Sequence, residues 1–152
     1  MSDVGPAEPR DDRLGPIDYL AVEFPDGRIG EEGFQALLEL VERQVIQVLD
    51  LEFIAKHADG AVQKVGASDL GATGGVNLAA WQGAASSLLD PSDIEEIGSA
   101  IQPGSVAGVV IYENRWVLSL FEPWRRGGAR LIADGGIPVQ DVVAALDATE
   151  ST

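Results

Sequence analysis

The sequence contains no cysteine, one histidine and one methionine, and the first two shortages exclude whole classes of chemistry. Without cysteine there are no disulfides, no thiolate nucleophiles and no sulfur-ligated zinc. With His57 as the single histidine, a transition-metal site would depend on carboxylates alone, so we predict no metal and no other cofactor. His57 itself falls in the predicted turn AKHADG, where we expect an exposed side chain.

Basic residues are also scarce. Ten lysines and arginines stand against 25 aspartates and glutamates, which gives a formal net charge of −15. Binding to phosphate backbones or anionic lipid surfaces needs clustered cations, so nucleic acid and acidic membranes are excluded as partners. The acidity fits a salt-rich habitat, a cationic partner or simple solubility.

Long apolar runs are absent as well. No stretch approaches the roughly 20 apolar residues of a membrane span, so no membrane insertion is expected. The N-terminus MSDVGPAEPRDDR lacks the apolar segment of a signal peptide. These features predict a cytoplasmic protein.

The chain length suits one hydrophobic core and one domain. We expect an acidic disordered tail over residues 1–14, a single domain over residues 15–148 that carries an insertion at 65–103, and a short tail at 149–152.

The first half of the chain shows a β-α-β pattern. Alternating residues predict a strand from about Ile17 to Phe24. The run VIQVLDLEFIAKHADGAVQKV predicts a second strand, over about Val45 to Ile54, that folds into a short hairpin at ADG. Because Asp50 and Glu52 alternate with apolar residues, this strand is expected at an exposed edge of the sheet. The helix between the strands has an apolar stripe of Phe34, Leu37, Leu38 and Val41.

The second half of the chain shows the same β-α-β pattern. SVAGVVIY is apolar on both faces and predicts a central strand, and ARLIADGG predicts a short fourth strand. The helix between them has its apolar stripe at Val117, Leu120, Phe121 and Trp124. Pro123 should kink or shorten that helix, and Gly127 and Gly128 can end it.

A terminal helix follows in IPVQDVVAALDA, with Pro138 near its first position. Its apolar stripe consists of Val139, Val142, Val143 and Leu146. Two β-α-β units and a last helix predict an α+β, ferredoxin-like pseudo-repeat with strand order 4-1-3-2. In that order the first and third strands are antiparallel, so Glu23 and Glu113 would lie at opposite ends, about 20 Å apart.

The insertion between the halves has two parts. In the second part, Asp90 can cap a helix that starts at Pro91 and runs to Gln102, with Ile94, Ile97 and Ile101 as its apolar stripe. The Gly/Ala-rich first part is consistent with a loop, with a short helix around Leu78 to Ala85, or with a segment that orders only against a partner.

The end of the third strand gathers polar and aromatic side chains that active sites also use. Glu113, Asn114, Arg115 and Trp116 are candidate binding residues, because a polar rim beside an aromatic wall at a helix N-terminus can bind an anion. The structural interpretation makes Asn114 the N-cap, with its side-chain oxygen accepting a backbone N–H, and directs Arg115 outward. Glu113 would then face the positive end of the helix dipole.

Two further features are candidates for binding. Trp81 either anchors the insertion onto the sheet or serves as a binding hot spot. Arg125, Arg126 and Arg130 form the one basic cluster of the chain. They either favour a helix C-terminus or contact the acidic surface of a neighbouring subunit.

Four motifs together carry a resemblance: GPIDYLAVEFP, VIQVLDLEFIAK, QPGSVAGVVIYEN and IADGGIPVQDVVAAL. They resemble a family of small uncharacterised bacterial proteins, a domain of unknown function, over most of residues 15–147. The resemblance implies no catalytic residue. It also implies a likeness to larger domains whose Gly-rich middle segment is assigned as a membrane hairpin, but Asp69, Asn77 and Gln82 make this insertion too polar to span a bilayer.

No motif of an enzyme is present: there is no GxSxG, no GxGxxG and no Walker sequence. We therefore expect a non-enzymatic, homo-oligomeric module whose main partner is a second copy of itself. The alternative is a small-molecule sensor with a pocket between the sheet and the insertion, walled by Trp81, Trp116 or Tyr112.

Overall fold

The structure is a computed structural model that describes residues 14–66, Trp81 and residues 86–150. Residues 1–13 of the predicted tail and most of the Gly/Ala-rich segment, including the alternative helix around Leu78 to Ala85, lie outside the described residues.

The described elements are four strands, four α-helices and one 3₁₀ turn. The strands are β1 (Ile17–Phe24), β2 (Gln47–Lys56), β3 (Val62–Val65) and β4 (Val106–Glu113). The helices are α1 (Glu31–Glu42), α2 (Pro91–Ala100), α3 (Arg115–Arg126) and α4 (Val139–Glu150), and a short 3₁₀ turn covers Pro25–Gly27. The fold is therefore of the α+β class, as predicted.

The four strands form one antiparallel sheet in the order β1-β4-β2-β3. The antiparallel pairing of the first strand with SVAGVVIY is confirmed. Ile17 is the register partner of Glu113, and Glu23 is the partner of Ala107, so Glu23 and Glu113 do lie at opposite ends of their strands. The hairpin predicted at ADG is also present, with Gly60 at φ +90° in its turn.

The predicted fourth strand does not form. Residues 129–138 have no regular structure, so the second β-α-β unit is incomplete and the ferredoxin-like pseudo-repeat is not observed. The apolar run from Leu131 to Ala133 is too short to bury much surface, and glycine pairs flank it on both sides, which favours chain reversal. As a result β1 has no second neighbour in the described sheet, and β3 occupies the other edge.

The second strand is central, which corrects its prediction as an edge strand. β2 lies between β4 and β3, and both carboxylates that suggested exposure, Asp50 and Glu52, are buried. A register shift between Val48 and Asp50 leaves Leu49 as the extra residue of a β-bulge. Simple alternation from Val48 would place Asp50 on the same face as Val48. Because of the bulge, Asp50 lies on the opposite face, and Leu51 shares the face of Val48.

One face of the sheet, here called the α1 face, carries the larger core. Leu51, Phe53, Val110 and Trp81 form its buried centre, and the predicted α1 stripe packs against them. The Phe34 and Phe53 rings lie 6.0 Å apart between centroids in a tilted arrangement. Trp81 is therefore a core residue that anchors the insertion, as one interpretation predicted, and its ring is not available for binding.

The opposite face, here called the α2 face, carries a smaller core. Ile54, Ala107 and Val109 of the sheet pack with Ile101, and the Ile94 and Ile97 stripe of α2 covers them. The predicted start of α2 is confirmed. Asp90 accepts from the Asp93 backbone N–H at 2.9 Å, and the Asp93 side chain accepts from the Asp90 N–H at 3.1 Å, which completes a capping box.

The two C-terminal helices, α3 and α4, bury few of their own side chains. α3 continues past Pro123 to Arg126, so the proline does not shorten it, and Gly128 at φ +100° follows its end. Phe121 is the one buried residue of α3. In α4 every residue from Val139 to Asp147 is exposed, so its predicted apolar stripe is not packed against the described residues.

Candidate interaction surface

β1 is an unprotected edge strand. Eight residues long, it carries Ile17 and Tyr19 on the α2 face and Leu20 and Val22 on the α1 face, and all four side chains are exposed. Tyr19 is the most open of them, with 72% of its surface accessible. Its sequence, IDYLAVEF, contains no lysine, arginine or proline. Natural edge strands normally carry such residues to prevent association.

The other edge strand has these protections. β3 is only four residues long, includes Lys64, and is contacted by α2 through Val62. Short length, a lysine and a covering helix are the usual devices that keep an edge from pairing with another chain. The two edges of this sheet therefore differ, and the difference singles out β1.

An open groove runs along β1 on the α2 face. It encloses about 480 Å³ between β1 and α2, and we call it the α2 groove. Its floor is apolar, with Tyr19, Val109, Ile111 and Ile97 among the lining side chains. The α2 residues Asp93 and Glu96 supply carboxylates to it, and none of the described lining residues is a lysine or an arginine.

A second open groove lies on the other face. It encloses about 280 Å³ between β1 and α1, and Leu20, Val22, Phe34 and Leu37 line it. None of the described residues that line this groove is charged. Both grooves exist because α1 and α2 cover the middle of the sheet and leave both faces of β1 open.

The strand-to-helix junction brings together all four residues predicted as a binding rim. Glu113 is buried, and its Oε2 accepts from the Gly15 backbone N–H at 2.7 Å. Arg115 donates to the Gln47 Oε1 at 2.8 Å and lies 3.6 Å from the Glu113 Oε1. Glu113 and Arg115 therefore tie the chain entering β1 and the start of β2 to the end of β4.

Asn114 lies at the N-cap position, but its side chain does not cap the helix. Its Nδ2 donates to the Pro16 carbonyl at 3.0 Å and to the Asp18 Oδ2 at 2.9 Å, while its Oδ1 accepts from the Trp116 Nε1 at 3.2 Å. The predicted cap bond is wrong because the amide instead links β1 to the indole. These contacts occupy the polar atoms of the rim, and the exposed part of Trp116 remains as a contact surface.

α3 presents an apolar stripe to solvent. Trp116, Leu120 and Trp124, spaced four residues apart, share one side of the helix, and each is about half exposed. Phe121, on a different side, is buried, and the Trp116 backbone N–H donates to the Val45 carbonyl at 3.1 Å. The helix is therefore attached to its own chain through other contacts while this stripe faces outward.

The arginine cluster lies where the sequence predicts, at and beyond the C-terminal end of α3. Arg125 pairs with Glu122 one turn earlier, at 3.0 Å. Arg126 is exposed in the last turn, and Arg130 is exposed beyond the helix. These positions suit the negative end of the helix dipole, and they also place positive charge beside the exposed tryptophans.

Sequence reasoning missed a buried pair of carboxylates on β2. Asp50 Oδ1 accepts from the Ser86 backbone N–H at 2.6 Å, and its Oδ2 accepts from the Leu88 N–H at 3.1 Å. Glu52 Oε2 accepts from the Leu89 N–H at 3.3 Å, and its Oε1 is ion-paired with Lys64. The pair therefore holds the end of the insertion onto the sheet.

The pKa of Glu52 is set by its surroundings. Burial raises the pKa of Glu52 above its ordinary value, and the neighbouring Asp50 carboxyl raises it further, against the opposing effect of Lys64. Glu23, at the other end of β1, has a lowered pKa because it accepts from the Gln102 backbone N–H at 2.9 Å and from the Ser105 hydroxyl. None of these carboxylates lines the α2 groove.

Comparison with known proteins adds a family to this geometry. A family model described as a family of unknown function (DUF6325) matches residues 13–151. The chain belongs to this family. The resemblance to a domain of unknown function is thereby confirmed. No curated protein and no solved structure matches the chain.

The description of the DUF6325 family names no activity. In the part of the chain that the structure describes, no three histidine or carboxylate side chains lie together as metal ligands would. None of the described helices combines the length and the apolar character needed to cross a membrane. His57 is exposed in its turn as predicted, with its Nε2 2.8 Å from the Gln63 Oε1.

Proposed function

We propose that this chain is a non-enzymatic, self-associating α+β module that forms homo-oligomers through β1. The observation that supports this function is the exposed apolar edge of the sheet, eight residues long and open on both faces. An edge strand presents unpaired backbone N–H and C=O groups that bind another strand. A second copy supplies a strand with the same spacing, so the interface is isologous.

The charges on β1 are arranged in a way that permits this pairing. When two copies pair antiparallel around a two-fold axis perpendicular to the sheet, each face stays continuous, so residues directly opposite share a face. Asp18 faces the α1 side and Glu23 the α2 side, so neither carboxylate lies directly opposite the other. In registers centred on the strand, Leu20 lies opposite Leu20 or Val22 of the second copy, and like charges are not opposed.

The experiment is the molar mass of the purified chain by light scattering, measured over a dilution series. Self-association predicts a mass above that of one chain, with protection of the β1 amides from hydrogen exchange in the assembled form. Leu20→Lys places a buried charge in the interface and predicts a monomer. Leu40→Lys makes the same change at an exposed position of α1 that lines neither groove, and should keep the assembly. A monomer at every concentration would disprove this function.

A second candidate function is small-molecule binding in the α2 groove. The groove lies between the sheet and α2 of the insertion, and its volume of about 480 Å³ is in the range of ligand pockets. Tyr19, Asp93 and Glu96 would supply the polar contacts, whereas Trp81, Trp116 and Tyr112, the walls expected from the sequence, do not line it. A thermal-shift screen with a metabolite library tests it: a hit that stabilises the wild type and not Tyr19→Lys supports the candidate, and no hit disproves it.

A further inference from the structure

We propose that the α2 groove of one copy receives α3 of a second copy, with the exposed stripe of Trp116, Leu120 and Trp124 against the apolar floor and Arg126 against the α2 carboxylates of Asp93 and Glu96. This inference rests on the proposed self-association and adds the element that the second copy contributes. Three observations support it: charge, length and the attachment of α3 to its own chain.

Charge is the first observation. The chain is strongly acidic, but four of its ten basic residues lie between residues 115 and 130. Three of the four charged side chains of α3 are arginines. Among the described residues, the α2 groove has an apolar floor and only acidic residues as its charged lining. An amphipathic helix with basic flanks is the ligand that such a groove complements.

The charges also explain why the groove fits α3 better than α4, the other helix with an exposed apolar stripe. α4 carries Asp141 and Asp147 beside its apolar stripe and has no basic residue. Placed in the α2 groove, these carboxylates would face those of Asp93 and Glu96, which is unfavourable at short range. The groove therefore selects α3 over α4.

Length is the second observation. A 12-residue helix such as α3 spans about 18 Å at 1.5 Å per residue. The groove follows β1 from Ile17 to Ala21 and continues along α2, which spans about 15 Å on the same basis. The stripe of α3 and the groove therefore have similar lengths.

The attachment of α3 to its own chain is the third observation. Asn114 alone separates the last residue of β4 from the first of α3, and the Trp116 N–H bond to the Val45 carbonyl fixes the first turn beside the start of β2. Phe121 packs inward while the Trp116, Leu120 and Trp124 stripe stays open. In the described part of a single chain, the stripe is thus exposed and the groove is open. In an antiparallel pair of β1 strands, α3 of the second copy starts near the Glu23 end of the first copy and can run along the groove.

The inference is tested first by Leu120→Glu, which places a charge in the middle of the stripe. We expect the dissociation constant of the assembly, measured by light scattering and sedimentation, to rise at least tenfold. Ile132→Glu is the matched control, because it places the same charge at another exposed apolar residue, and it should leave the dissociation constant unchanged. An assembly that Leu120→Glu leaves unchanged overturns this inference. If Leu20→Lys abolishes that same assembly, the proposed function stands and only the role of α3 is lost.

A charge exchange then identifies the groove. Arg126→Glu and Glu96→Arg each create like charges between helix and groove, and each alone should weaken assembly about tenfold. In an equimolar mixture of the two variants, α3 of the first meets the groove of the second, and both contacts are complementary again. We therefore expect the mixture to recover the wild-type mass. Recovery only when both changes are in one chain would mean that α3 fills the groove of its own chain, and no recovery in either case would mean another surface; both outcomes overturn the inference.

Discussion

Gly98 of α2 lies directly against Val62 of β3: a Cβ added at residue 98 would stand 2.5 Å from the Val62 Cγ2. The close approach lets the helix lie low over the α2 face, where Ile94 and Ile97 reach the sheet. Gly98 is buried, and the Val62 side chain that it meets is short and branched at Cβ, so this side chain cannot easily move aside.

We predict that Gly98→Ala lowers the free energy of unfolding by about 1–3 kcal/mol, because the new methyl group overpacks this contact. The loss should appear although alanine favours the helical backbone by roughly 0.5–1 kcal/mol. Urea denaturation measures it. Gly33→Ala in α1 is the matched control: nothing lies within 4 Å of its added Cβ, so this change should leave the protein as stable or slightly more so.

Asp50→Ala should be strongly destabilising. The change leaves the backbone N–H groups of Ser86 and Leu88 without their carboxylate acceptor, at about 1–3 kcal/mol for each donor that stays buried. Asp50→Asn keeps one acceptor oxygen and should lose less. Urea denaturation gives both values, and hydrogen exchange should show faster exchange at residues 86–89. Asp147→Ala, exposed on α4, should change neither quantity.

Glu52 makes stability depend on pH in a direction opposite to that of most carboxylates. Its folded-state pKa is raised, so the folded protein binds this proton more tightly than the unfolded chain does. The stabilisation is complete below the ordinary glutamate pKa and is lost as pH rises through the raised value. Relative to Glu52→Gln, which does not titrate, the wild type should therefore lose stability from mildly acidic toward neutral pH. Parallel urea curves for the two proteins at several pH values measure this, and a difference that stays constant or changes in the opposite direction would contradict it.

Glu113→Ala should release the chain where it enters β1. Glu113 is the buried acceptor for the Gly15 N–H, and an unsatisfied buried donor costs about 1–3 kcal/mol. We expect lower stability and faster protease cleavage before residue 17. Glu113→Gln retains an acceptor oxygen, so its stability and cleavage rate should lie between those of the wild type and Glu113→Ala. If cleavage is equally fast in all three, Glu113 does not hold this segment.

Periodicity and caps predicted most of the elements. The alternation in β1, the apolar stripe of α1 and the Asp90–Pro91 start of α2 each depend on neighbours in sequence, and the structure confirms them. The hairpin at Gly60 belongs to the same class of local signals.

Features that depend on distant contacts were not predictable in this way. Asp50 and Glu52 suggested an exposed strand, because the N–H groups that satisfy them belong to residues 36 to 38 positions later. The capping role of Asn114 was wrong for a similar reason, since β1 and Trp116 compete for its amide. Of the candidate site, the arginine cluster and Trp116 were found from the sequence. The β1 edge was not, because ARLIADGG was expected to pair with it.

The bulge at Leu49 has a consequence for how this chain tolerates changes of length. On its C-terminal side Asp50 faces α2 and Leu51 faces α1, whereas on its N-terminal side Val48 faces α1. Removing one residue between Asp50 and Lys56 would turn part of the strand over, so that side chains of one face would point to the other. The turn of the hairpin, around Asp59, has no alternation of faces to preserve. Sequences of other family members should therefore keep a fixed residue count from Asp50 to Lys56 while varying freely in length at that turn.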